Sequence, residues 1–146
     1  MGSKDFEIKR EAIMGNHLYT LDVQTNEHQV FVEITEKVQK KIVESKAIEG
    51  IVLVYCPHTT AGITVNENAD PDVLWDMIDA LNGNFPVKNN YKHFEGNSHA
   101  HIKSSIIGNE KTLIIKDGKL LLGTWQGIYL CEFDGPRKRK IYIKII

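Results

Sequence analysis

Apolar and polar residues alternate along this chain with two different periods, and the changes of period divide it into strands and helices. Phe6, Ile8 and Arg10 alternate with polar neighbours, and His17-Leu18-Tyr19-Thr20-Leu21-Asp22-Val23 repeats the period of two, with Gly15-Asn16 as the turn between them. Val30, Ile34, Val38 and Ile42 then fall four residues apart, the stripe of an amphipathic helix of about five turns that Thr25 or Asn26 would cap. Ile51-Val52-Leu53-Val54-Tyr55-Cys56 is a continuous run and predicts a strand buried on both faces, ended by Pro57. Ala61-Gly62-Ile63-Thr64-Val65-Asn66 alternates again and is expected to be its antiparallel partner, joined through Pro57-His58-Thr59-Thr60.

Asp70-Pro71 is a helix start, because Asp can cap and Pro at the first helical position loses no needed hydrogen bond. Val73, Leu74, Met77, Ile78 and Leu81 form the stripe expected to be buried. From Asn82 to Asn97 no periodicity is visible, and an aperiodic loop of that length in a compact domain is usually functional. Strands are predicted at Thr112-Leu113-Ile114-Ile115, Leu120-Leu121-Leu122, Gly127 to Phe133 and Lys140 to Ile145, with a turn at Asp117-Gly118. With no repeat, low-complexity segment or linker, the expectation is a single α+β domain over residues 1–146, two helices packed against an antiparallel framework.

Composition narrows the partners. Among 146 residues, 42% are hydrophobic and 25% charged, the profile of a soluble globular chain. With 18 Lys+Arg against 19 Asp+Glu, the formal charge of -1 argues against bulk electrostatic capture of nucleic acid. The run from Ile51 to Cys56 is far shorter than the roughly 20 residues that cross a bilayer, so no membrane partner is expected. The amino terminus, MGSKDFEIKREA, lacks the apolar core of a secretory signal, and the expected compartment is the cytoplasm. Cys56 and Cys131 lie inside apolar runs without CxxC spacing, which predicts buried free thiols.

Polar groups unsuited to a core concentrate in HTTAGITVNENADP from His58, HFEGNSHAHIKSS from His93 and GTWQGIYLCEFDGPRKR from Gly123. Imidazoles at His58, His93, His99 and His101, with carboxylates at Glu67 and Glu95, would suit a divalent metal with an open position. Their spacing matches no metal motif such as HExxH, and histidines satisfied by ordinary hydrogen bonds are the alternative. His99 and His101 share a face only on a strand; on a helix they point about 200° apart. Thr59-Thr60 and Ser104-Ser105, with Lys103, Arg137 and Arg139, could donate to phosphate oxygens, against a plainer reading as turn chemistry and an exposed basic edge. Trp125 is expected in the core, and Asp76 and Asp79 in solvent.

HTTAGITVNENADP, the HIKSS of HAHIKSSIIG, and GTWQGIYLCEFDGPR resemble, in order, three signature blocks of the YjbQ-like family, associated with a secondary thiamine-phosphate synthase activity. The resemblance implies an antiparallel β-sandwich with flanking helices, assembled as a homotrimer with sites close to subunit boundaries. It implies metal-type histidines at His58, His93 and His101, the ion being zinc or magnesium, while His99 stands where members often carry another residue. The activity it implies joins a pyrimidine-methyl diphosphate to a thiazole phosphate and expels diphosphate. For that reaction we assign His58, Glu67 and His101 to the chemical step, with Glu132 as a supporting group. Thr59, Thr60, Asn66, Lys103, Ser104, Ser105 and Arg137 are assigned to the phosphorylated substrates. Two other classes stay open: a metal-dependent hydrolase with Glu67 as base, and a non-catalytic trimer that binds an anion or metal.

Overall fold

The alternating segments become strands wherever β-branched and aromatic residues dominate, and the order of these segments along the chain sets two sheets. A computed structural model describes residues 17–146, so the expected strand at Phe6 to Arg10 and its turn at Gly15-Asn16 lie outside the described residues. The strands are β1 (Leu18–Gln24), β2 (Val30–Glu33), β3 (Gly50–Tyr55), β4 (Ala61–Glu67), β5 (Glu110–Lys116), β6 (Lys119–Leu120), β7 (Gln126–Glu132) and β8 (Lys138–Ile145). The helices are α1 (Thr35–Ser45), α2 (Pro71–Asn84) and α3 (Ser98–Ile107). A five-stranded sheet runs β1-β8-β3-β5-β6 and a three-stranded sheet β2-β7-β4, with every pairing antiparallel. The fold is therefore α+β, as expected.

Five expectations are corrected. Val30 to Glu33 is a strand, paired with β7 from Val30↔Glu132 to Glu33↔Tyr129, and the helix begins only at Thr35. Val30, Phe31 and Val32 favour the pleated surface, while Ile34, Val38 and Ile42 supply the buried stripe. Thr25 is no cap: it is buried, and its hydroxyl donates to Glu132 Oε1 at 2.7 Å. Strand β3 is buried on one face only, Val52 and Val54 inward and Ile51 and Tyr55 exposed at 44% and 38%. Its successor β4 pairs with β7, not with β3, because Pro57 to Thr60 carries the chain from one sheet to the other. A third helix, α3, stands where no stripe was visible, since the residues it buries include His99, Lys103 and Ser104.

One apolar cluster joins both sheets to α1: Val54 and Ile143 meet Ile63, Leu130, Val38 and Ile42. Fully burying each such side chain stabilises by about 1.5 to 3 kcal/mol before entropy is counted. A second cluster, with Phe31, Ile78, Ala100 and Phe133, fixes α2 and α3 to the smaller sheet. The start of α2 follows expectation, the Asp70 carboxylate accepting the Asp72 N–H at 2.9 Å. Asp117 and Gly118, at φ 52° and 74°, make the tight turn between β5 and β6. Trp125 is 62% exposed, outside the core to which its size assigned it. Cys56 and Cys131 are buried free thiols, and burial raises the pKa of both.

Where α3 ends it lies directly on β4. The Ile63 N–H donates to the Gly108 carbonyl at 3.0 Å, and a Cβ on Gly62 would stand 2.6 Å from that oxygen and 3.2 Å from Ile107 Cγ2. Only glycine permits this approach, which fixes the height of α3 above the sheet.

Candidate anion-binding cleft

Three segments meet at one end of the molecule: the β3–β4 connection, the start of α3 with the loop before it, and the entry to β8. His58, Thr59, Thr60, His101, Arg137 and Arg139 line a cleft of about 320 Å³ there. Glu95 and Asn97 line it too. His58, Thr59 and His101 continue into an adjoining hollow of about 440 Å³ with Ser104 and Ser105. A third depression, beside His93, also ends at His101. The imidazole of His101 thus stands where the three hollows meet.

Local chemistry holds the segments in register. The Ser104 hydroxyl donates to the Thr59 carbonyl at 2.6 Å, tying α3 to the β3–β4 connection, and the Ser105 hydroxyl donates to the His101 carbonyl at 2.9 Å. The neutral ring of His58 places Nε2 2.9 Å from the Lys140 nitrogen and 3.2 Å from its carbonyl oxygen, so either tautomer finds a backbone partner there. Burial, followed by the positive charge of Arg139, lowers the pKa of His58 and favours that neutral form. Arg137 is exposed, but its guanidinium is clamped, donating to Asp134 Oδ2 at 2.7 Å and to the Asp134 carbonyl at 2.8 Å. Asn97 Nδ2 donates to the same Oδ2 at 3.0 Å, so one carboxylate joins the head of α3 to the entry of β8.

Arg139 is 3% exposed, not part of an exposed basic edge, and it grips Glu132, which is fully buried. Its Nε donates to Glu132 Oε1 at 2.8 Å and its Nη2 to Glu132 Oε2 and the Thr60 hydroxyl. Glu132 thus holds Arg139 in place from behind. The phase of β8 carried this signal, since Arg139 falls in step with the inward residues Ile141, Ile143 and Ile145. Asp134 and Asn97 were missed because a short Asp-to-Arg spacing is common on surfaces.

Several assigned residues lie elsewhere. Glu67 and Asn66 end β4 at Gln126 and Gly127, six and five residues beyond Ala61, roughly 20 Å from the cleft at about 3.3 Å per residue. Within one chain they cannot serve the group that His101 serves. Lys103 is fully buried, and its ammonium donates to Asn82 Oδ1 at 2.5 Å, His99 Nδ1 at 2.8 Å and Gln29 Oε1 at 3.2 Å, which uses all three of its hydrogens. Burial lowers its pKa to about 8. His99, on the opposite face of α3 from His101, is fully buried too; burial, Lys103 and His28 lower its pKa to about 4. Because His99 Nδ1 accepts from Lys103, its Nε2 carries the proton, and that donor is buried without a partner among the described residues.

The donors that a resident metal would need are only partly grouped. His93 and His101 meet edge to face with ring centroids 5.7 Å apart, and Glu95 Oε2 is 3.6 Å from His93 Nε2. His58 is engaged by Lys140, and among the described residues no three His, Cys, Asp or Glu side chains are grouped so as to hold an ion. The expected set of His58, His93 and His101 is therefore not assembled as a ligand triad by one chain.

The sequence model of the UPF0047 protein YjbQ-like family matches residues 19–146. The chain belongs to that family. A UPF0047 protein of Methanocaldococcus jannaschii is 55% identical over 88% of this chain and 94% of its own length. The UPF0047 protein YugU of Bacillus subtilis is 48% identical over 88% of this chain and 98% of its own. A crystal structure of an uncharacterized conserved protein of the YjbQ/UPF0047 family from Clostridium acetobutylicum superposes with a TM-score of 0.86 at 54% identity. It covers 88% of this chain and 99% of that one. A hypothetical protein from Aeropyrum pernix superposes with a TM-score of 0.85 at 32% identity, over 88% and 97% of the two chains. The UPF0047 fold accordingly extends over the described β-strands and helices, and with it the cleft's framework.

Proposed function

We propose that this UPF0047 chain is a transferase of the thiamine-phosphate synthase type, joining a pyrimidine-methyl diphosphate to a thiazole phosphate with release of diphosphate. The observation that carries the reading is the cleft itself, in which two imidazoles, two hydroxyls and two guanidiniums converge from three distant segments. The nucleophile is a ring nitrogen with a free lone pair, so no base is needed. The barrier lies in the leaving group, whose growing negative charge calls for donors fixed in advance. Arg137, held by Asp134, supplies a cation at the rim; the His58 and His101 imidazoles and the Thr59 and Thr60 hydroxyls supply donors.

The metal belongs to the substrate in this reading. A magnesium ion that accompanies the diphosphate supplies counter-charge when bound, and such ions are held mainly by phosphate oxygens and water. Within one chain the hydrolase alternative has no base at Glu67, which stands at the far end of β4.

We further propose that the two sheets act as a β-sandwich subunit of a cytoplasmic homotrimer. Support comes from the outer face of the five-stranded sheet, where Ile51, Tyr55 and Ile114 are exposed at 44%, 38% and 56%. Apolar residues grouped on a sheet face favour cover by another subunit. No helix among the described residues is long and apolar enough to cross a membrane. The test is product formation from the two phosphorylated substrates by purified protein, with and without chelator. Activity that disappears in a His58→Ala, His101→Ala double variant supports the reading; equal activity in that variant and the wild type would sink it and leave the non-catalytic anion-binding trimer.

A further inference from the structure

Arg139 brings a full guanidinium to the inward side of β8, yet not all of it is used. A guanidinium carries five N–H donors. The one on Nε and the two on Nη2 are committed to Glu132 and Thr60. Nη1, with two, has no hydrogen-bond partner among the described residues, and the side chain lines the cleft. Its orientation is fixed from behind: the Glu132 carboxylate that holds it accepts the Thr25 hydroxyl at 2.7 Å and the Asp134 N–H at 3.1 Å. The neighbouring Thr60 is 6% exposed, and its oxygen already accepts from Arg139 at 2.8 Å, which leaves its own hydrogen for an acceptor in the cleft.

We propose that Arg139 Nη1 and the Thr60 hydroxyl form the floor of a diphosphate subsite, with Glu132 as the positioning residue; this rests on the phosphate reading of the cleft given above. Glu132 balances the charge of Arg139, so the floor offers directed hydrogen bonds more than net charge. The net attraction then falls to Arg137 at the exposed rim. Guanidiniums at two depths, one clamped by Asp134 and one by Glu132, suit an anion with two phosphoryl groups better than a single carboxylate.

The probe is inorganic diphosphate, titrated calorimetrically into the full chain. Arg139→Lys keeps the charge and removes the Nη1 pair, and should weaken binding about tenfold or more, as expected for a charge-assisted contact. The double variant Arg139→Met, Glu132→Gln removes both buried charges together and should show the same loss. Glu132→Gln alone should weaken binding less than Arg139→Lys, while Lys138→Met, exposed beside it, should leave it unchanged. The wild type provides a check that needs no folded variant: the chain has three arginines, and the Nε–H resonance of Arg139 should shift on titration. If diphosphate binds and neither the Arg139 resonance nor the affinity of the folded variants changes, the floor assignment is wrong while the cleft reading stands. If the wild type binds no diphosphate, both fall.

Discussion

The face of α3 that carries His101 opens on the cleft, whereas the face that carries His99 and Lys103 is sealed against Gln29 and Asn82. Both faces hold histidine and both stand beside a cation. They differ in whether their hydrogen-bonding capacity is already consumed. Lys103 has three acceptors for three hydrogens, and nothing remains for a ligand. Around the cleft, Arg139 keeps one nitrogen without a hydrogen-bond partner among the described residues, and His58 and His101 line the open space beside it. A basic residue next to a histidine in the sequence therefore says little about binding until its partners are counted.

The comparison is broken most severely at Lys103. Replacing it by Ala removes a buried stem and leaves His99 Nδ1 and Gln29 Oε1 without their donor, Asn82 Oδ1 keeping the Gln29 amide, and should cost about 3 to 5 kcal/mol in urea unfolding. Diphosphate affinity of the folded fraction should stay within about threefold, since the cluster does not line the cleft. Arg137→Ala should do the reverse. Losing its charge-assisted contact should weaken binding and turnover by about 1.5 to 3 kcal/mol, roughly one to two powers of ten, with little change in melting temperature because the pair with Asp134 is exposed.

Acid sharpens the contrast next. His99 has a folded pKa of about 4 against an ordinary value of 6.5, so the unfolded chain takes up the proton first as pH falls. Its contribution to stability is present above pH 6.5 and lost between there and pH 4, a fall of about 3 kcal/mol, to which His58, shifted the same way, adds a smaller part. Urea midpoints measured from pH 7 to 4 should show this slope, and His99→Gln, which keeps an acceptor for Lys103, should flatten it. The smallest effect belongs to Lys140→Ala. Its exposed side chain should matter by less than about 0.5 kcal/mol for stability and binding alike, because its contact with His58 is made by the backbone.

What could be read from the chain follows the same division. β5 and β8 were legible because one face of each meets a continuous apolar core, β7 because both of its faces do, and α2 because Asp70-Pro71 announces its start. α3 was hidden because its buried face is made of His99, Lys103 and Ser104, which a hydrophobic stripe cannot reveal. β2 was read as helix because Val30 happens to fall four residues before Ile34. Pro57 to Thr60 looks like a hairpin loop, and nothing local says that it changes sheets. Glu67 and Asn66 share a motif with His58, yet an extended strand carries them to the other end of the molecule, which proximity in sequence conceals.

The missing side chain at Gly62 has a consequence for how this scaffold can vary. His101 is carried by α3, and α3 rests on β4 through a clearance too small for one methyl group. Substitutions in the cleft can alter its chemistry while leaving its shape, but Gly62→Ala should lift the end of the helix and move the imidazole relative to Thr59 and Arg139 with no change to any residue that meets a ligand. Position 62 therefore acts as the spacer that calibrates the width of the cleft from behind, and a search for altered ligand size would start there rather than among the polar residues of the wall.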